Sequence, residues 1–171
     1  YDLSDDPIVV MGIDRRAGDL ILVANRFHNG GQLQECVKAY LEALNCRMDL
    51  RSRFVTLYNL GNTYVTLGDV DNLMRNQRRC EAVQTWTEAL QLDCGGTDRA
   101  KVAMAAGEAL FEDGFLHRAQ EMYKLVIKYD VHNGTLTAAA HTRLGTTSSR
   151  IALANKFTHG RPGLTSAAHC S

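Results

Sequence analysis

Arginine, cysteine and histidine are the side chains in this chain that could carry chemistry. Arg75, Arg78 and Arg79 crowd into one short stretch. If that stretch is helical, Arg75 and Arg79 lie four residues apart on one face. They would suit an acidic partner or a phosphate there, or simply extend a solvated helix. A second basic set, Arg47, Arg51 and Arg53, falls between two helical stretches. Clusters of this kind bind nucleic acid when they belong to a basic surface. Here the formal net charge is zero and no base-reading pair repeats along the chain, so nucleic acid is disfavoured as a partner. The five cysteines have no short regular spacing. Cys36 and Cys46 stand too far apart on one helix to converge as ligands, and Cys36 and Cys80 are expected as small buried apolar residues. No Cys-x-x-Cys or His-Glu-x-x-His run occurs. His28, His117, His132, His141 and His159 are scattered, which suits surface or capping roles. Asp113-Gly114-Phe115 reads as a turn between helices, and no glycine-rich phosphate loop is present. The expectation is therefore no catalytic residue, no metal site and no cofactor.

The elements that would position these residues are helical. Hydrophobic residues make up 45% of the 171-residue chain and charged residues 22%, ordinary proportions for a globular protein with its own core. Prolines occur only at Pro7 and Pro162, so nothing between them obliges a helix to stop. Purely apolar runs such as Ile8 to Met11 and Leu20 to Ala24 fall far short of the roughly 20 residues that span a bilayer. No basic segment precedes an apolar one at the start, and the odd cysteine count argues against a secreted disulfide framework. An intracellular location is expected, with cytoplasm, mitochondrion and plastid undistinguished.

Helical periodicity begins near Ala17, where Leu20, Val23, Ala24 and Phe27 mark one face. Gly30-Gly31 interrupts it, and a second helix follows from about Leu33 to Met48. The best-marked stretch comes next: Tyr58-Asn59-Leu60-Gly61-Asn62-Thr63-Tyr64, then Leu67-Gly68-Asp69, then Ala82, Trp86 and Ala89. A Leu-Gly pair, an aromatic three residues on, Gly-Asp at a turn, and small residues in a second helix resemble one tetratricopeptide repeat. Val23-Ala24 with Phe27, and Ala106-Gly107 with Leu110 ahead of Gly114, stand in the same order on either side. The resemblance covers about residues 17 to 153. It implies an all-α, right-handed α-solenoid of three antiparallel helix pairs, at about 17–50, 54–94 and 100–133. A C-terminal capping helix follows at about 137–153. An N-terminal arm, 1–16, and an irregular tail, 154–171, flank this domain. The second repeat exceeds the usual 34 residues by about nine. The excess falls near Asn72 to Cys80 and carries the three arginines.

The resemblance implies a concave groove lined by the first helix of each pair. Partner-binding residues would be Asn25 and His28, Tyr58 and Asn62, and Lys101, Met104, Glu108 and Phe111, with Arg75, Arg78 and Arg79 as a second surface on the insertion. In one subclass, lysines and asparagines hold the terminal carboxylate of a chaperone tail. Asn25, Asn59 and Lys101 stand at three of those positions, while Ile21 and Ala105 replace two cations. The implied function is a non-catalytic protein–protein interaction scaffold. The leading form is an accessory or assembly subunit of a larger, multi-subunit complex, organellar and membrane-bound complexes included. Without a transmembrane segment, membrane association would be peripheral, through that complex. The alternatives are a free adaptor or co-chaperone binding a peptide in the groove, and an RNA-binding helical repeat.

Overall fold

A computed structural model describes residues 14–131 and 134–158. Among the described residues there are seven helices and no strand: α1 (Arg15–Asn29), α2 (Leu33–Leu44), α3 (Leu50–Val70), α4 (Arg75–Gln91), α5 (Gly96–Glu112), α6 (Leu116–Tyr129) and α7 (Thr135–Thr158). They divide into two compact units, at residues 1–95 and 96–171. In the first, α1 packs on α2, α2 on α3, and α3 on α4. In the second, α5 packs on α6, and α7 covers both.

Local sequence sets the ends of these helices. Asp14 and Asp49 cap α1 and α3, each accepting a backbone N–H two or three residues on: Arg16 at 3.1 Å and Ser52 at 2.8 Å. The α1–α2 and α5–α6 hairpins close through the same turn. Gly31 and Gly114 take φ of 73° and 84°, a left-handed conformation that costs glycine little. The residue after each donates its N–H back to the last turn, Gln32 to Phe27 O and Phe115 to Leu110 O, both at 2.9 Å.

The middle hairpin differs. Gly68-Asp69, expected at the turn, is helical, and α3 runs on to Val70. The turn is instead 71–74, where Asp71 Oδ1 accepts the Leu73 N–H at 3.1 Å and Met74 N–H bonds Asp71 O at 3.1 Å. Gly68 is used for contact, not for the turn: a Cβ there would stand 3.2 Å from the Arg75 carbonyl oxygen and from Arg78 Cβ. The additional residues of this repeat thus lengthen both helices. Other boundaries shift as well. Helix α1 takes in Arg15 and Arg16. Helix α2 ends at Leu44, and α7 continues to Thr158 through residues expected to be irregular. The rest of the arm (1–13), His132, Asn133 and the remaining tail (159–171) lie outside the described residues.

Each pair is locked by an aromatic residue of its second helix laid against a small residue of its first. Tyr40 serves Ala24, Trp86 serves Gly61 and Tyr123 serves Gly107. All six are buried. Phe54, Leu57 and Leu60 in the first unit and Val102, Leu110 and Val126 in the second are also buried, each contributing on the order of 1.5–3 kcal/mol by leaving water. Cys36 is buried as expected, its Sγ 3.7 Å from Thr63 Oγ1, and burial raises the thiol pKa. Cys80 departs from expectation: it is only half-buried.

Candidate functional site

Helices α1 and α3 flank a groove whose walls follow the helical period. On α1 the groove-facing residues are Gly18, Ile21, Leu22, Asn25 and Asn29. On α3 they are Ser52, Val55, Thr56, Asn59 and Asn62. Apart from the adjacent pairs Ile21-Leu22 and Val55-Thr56, both sets advance by three or four residues, one stripe per helix. Two cavities follow one another along these stripes. The one toward the helix N-termini, about 450 Å³, is mostly apolar, with Ile21, Leu22 and Val55, and carries Asp19 and Arg51 as its charged groups. The other, about 370 Å³, is lined by Asn25, His28, Asn29, Tyr40, Asn59 and Asn62. No lysine or arginine lines this amide-rich half among the described residues.

Tyr40 reaches the groove from α2 and donates its hydroxyl to Asn25 Oδ1 at 2.6 Å. Burial pushes its phenol up to about 12; the Cys36 charge adds to this and a hydrogen bond with Asn59 opposes it. The bond fixes one asparagine. Asn62 occupies the equivalent place in the next pair, following Gly61 as Asn25 follows Ala24. Its aromatic partner Trp86 carries only an N–H donor, and that donor goes to the Tyr58 carbonyl at 3.2 Å. Among the described residues the Asn62 side-chain amide therefore keeps its hydrogen-bonding capacity for the groove.

The expected binding residues separate into three groups. Asn25, His28 and Asn62 meet in the amide-rich cavity, whereas Tyr58 lies outside both cavities and contributes its carbonyl to the packing. On α5, Lys101 is exposed, with Nζ 3.9 Å from Asp98 Oδ1, and Met104 is half-buried. Glu108 and Phe111, expected to face a partner, are engaged by α7. Arg143 Nε sits 2.8 Å from Glu108 Oε1, to which Tyr123 also donates at 3.3 Å. The guanidinium groups of Arg143 and Arg150 stack over the Phe111 ring at 5.7 and 4.5 Å from its centroid. Arg150 also donates to the Phe111 carbonyl at 3.3 Å.

The arginines of the insertion are engaged in ion pairs. Asp69 Oδ1 receives Arg75 at 3.1 Å and Arg79 at 3.6 Å, and Arg78 pairs with Glu81 at 2.8 Å. The Arg79 side chain is only 7% exposed. Arg75 and Arg79 bind α4 to α3 through Asp69, while Arg78 pairs within α4. Residues absent from the expected set are Leu22, Asn29, Tyr40 and Val55. The first, second and fourth share the helical stripes of Asn25 and Asn59, a signal present in the sequence. Tyr40 comes from the second helix of its pair and needed the packing to be seen.

Among the described residues no three His, Cys, Asp or Glu side chains stand together as metal ligands. No helix among them is long and apolar enough to cross a membrane.

Antiparallel helix pairs, small residues opposite aromatic ones, and a groove walled by successive first helices define an all-α helical-repeat fold. The fold is that of the tetratricopeptide repeat. The chain is similar to the first such domain of Spaghetti (RPAP3) bound to the HSP90 peptide SRMEEVD, with TM-score 0.59 and 19% identity over 83% of this chain and 98% of that one. It is also similar to the Sgt2 repeat domain from Aspergillus fumigatus, with TM-score 0.59 and 19% identity over 94% of both chains. A third likeness is to the Yersinia enterocolitica type III secretion chaperone SycD in complex with a peptide of the translocator YopD. There the TM-score is 0.57 at 13% identity, over 88% of this chain and 98% of that one. No protein-family model matches the chain, and no curated protein matches it in sequence.

Proposed function

We propose that this protein is a non-catalytic interaction scaffold that receives a partner polypeptide in the groove between α1 and α3. The observation that carries this reading is the Asn62 amide, without a hydrogen bond among the described residues and lining a cavity of about 370 Å³. A polar group so placed in a concavity is suited to a ligand's backbone. The peptide complexes of RPAP3 and SycD support the same class of activity for this fold.

The co-chaperone form of the reading has less support. The peptide bound to RPAP3, SRMEEVD, is acidic, and a carboxylate clamp depends on converging cations. The amide-rich cavity presents asparagines and His28 instead. The assembly-subunit form would draw on the terminal arms, and most of both lies outside the described residues. For the RNA-binding form, the insertion's arginines are already matched by Asp69 and Glu81.

Affinity isolation with the native chain and with an Asn25→Ala/Asn62→Ala variant tests the proposal. A partner recovered with the first and lost with the second is the expected result. If the double variant recovers the same partner, and deleting residues 1–13 and 159–171 abolishes recovery, the groove reading fails and an arm-mediated assembly subunit replaces it.

A further inference from the structure

The groove has two chemically different halves, and together they specify more than a peptide. We infer that it takes an internal, uncharged stretch of a partner polypeptide in extended conformation, not a chain terminus or an acidic tail. This inference rests on the proposed function and deepens it.

The apolar half exposes Leu22 at 59% and Val55 at 41%, with Ile21 beside them. Covering those side chains with an aliphatic one removes apolar surface from water on both partners. Asp19 and Arg51 share this cavity with opposite charges, so neither sign of ligand is favoured. The amide-rich half offers Asn59 and Asn62 beside the Tyr40–Asn25 pair. A side-chain amide carries donors and an acceptor in one plane and so complements a peptide group, which has one of each. A carboxylate or phosphate there would meet amide donors without a lysine or arginine to offset its desolvation. Gly18 to Asn29 spans about 17 Å of helix, the length of about five extended residues. One aliphatic side chain would therefore seat by Ile21, Leu22 and Val55, with the following peptide groups at the asparagines.

The test is selection of displayed peptides on the full chain from two random libraries, one of internal segments and one with free C-termini. The expected result is enrichment of internal segments with an aliphatic residue at one position and no acidic consensus. Binding of a selected peptide should weaken at least tenfold with Leu22→Asp and with Asn62→Ala. It should change less than twofold when the synthetic peptide's terminal amide becomes a free acid. Leu22→Ala replaces Leu22→Asp should the latter lower the melting temperature. Enrichment of free C-termini or acidic residues, sensitive to the same substitutions, overturns this specificity but leaves the groove as a receptor. No enrichment, or peptides indifferent to both substitutions, overturns the receptor reading as well.

Discussion

Trp86 lies against Gly61 so closely that a Cβ on Gly61 would stand 2.2 Å from the indole Nε1. The same indole N–H is committed to the Tyr58 carbonyl, so the ring cannot tilt away without losing that bond. Gly61→Ala should destabilise the chain by about 1–3 kcal/mol, the usual cost of overpacking a filled site. Gly107→Ala, whose Cβ would meet Tyr123 at 2.7 Å, should behave alike. Gly145, with nothing within 4 Å of its Cβ position, provides the contrast: Gly145→Ala should be neutral or slightly stabilising, since alanine favours a helix interior. Denaturant unfolding of the three variants checks the order.

Glu108→Ala and Asn62→Ala should fail in different ways. Glu108 accepts from Arg143 and Tyr123, so its loss leaves a guanidinium and a phenol without their acceptor and loosens α7. Hydrogen exchange of α7 amides should quicken while binding in the α1–α3 groove is unchanged. Asn62→Ala should leave exchange and melting temperature nearly unaltered and weaken groove binding. Equal loss of binding in both variants would mean that α5 also contacts the ligand.

Asp49 ties the start of α3 to pH. Its carboxylate accepts the Ser52 backbone N–H and hydroxyl, both at 2.8 Å, and the backbone bond is the main reason its pKa lies below the ordinary carboxylate value. A folded-state pKa below the unfolded one gives stability that is present above the unfolded value, about 3.9. That stability is lost as pH falls through the folded value. Asp49→Ala should therefore cost about 1 kcal/mol at neutral pH. The difference from the native chain should shrink as pH drops below about 4, which melting curves across that range would show.

Asp69 holds Arg75 and Arg79 together. Asp69→Asn removes the charge that lets two guanidinium groups share one site, so the tip of the α3–α4 hairpin should fray. Exchange at residues 68–78 should rise, with little change at Trp86. The exposed Arg75 should also give the variant a salt-dependent affinity for polyanions such as heparin. Equal heparin affinity in the native and variant chains would show that Asp69 does not mask Arg75.

The boundary between legible and illegible features follows the range of the forces involved. Helix periodicity, the caps at Asp14 and Asp49, and the glycine turns at Gly31 and Gly114 depend on neighbours a few residues apart. Tyr58 to Tyr64 fixed the repeat phase for the same reason, and that phase placed Asn25, His28 and Asn62 in one cleft. Gly68-Asp69 misled because glycine serves two purposes. It permits a left-handed turn, and it also permits two helices to touch. Only the position of α4 against α3 shows which purpose applies.

The sequence by itself determined that this chain is a series of helix pairs with small residues set opposite aromatic ones. Tertiary structure decided which stripe residues remain available. Helix α7 covers Glu108 and Phe111, Asp69 claims Arg75 and Arg79, and Tyr40 holds Asn25. The Asn62 side chain is left open because the partner of Gly61 is a tryptophan, whose N–H turns to a backbone carbonyl. Periodicity says which way a side chain points along its own helix. Whether another part of the chain meets it there depends on contacts between residues far apart in sequence, and those exist only once the chain has folded.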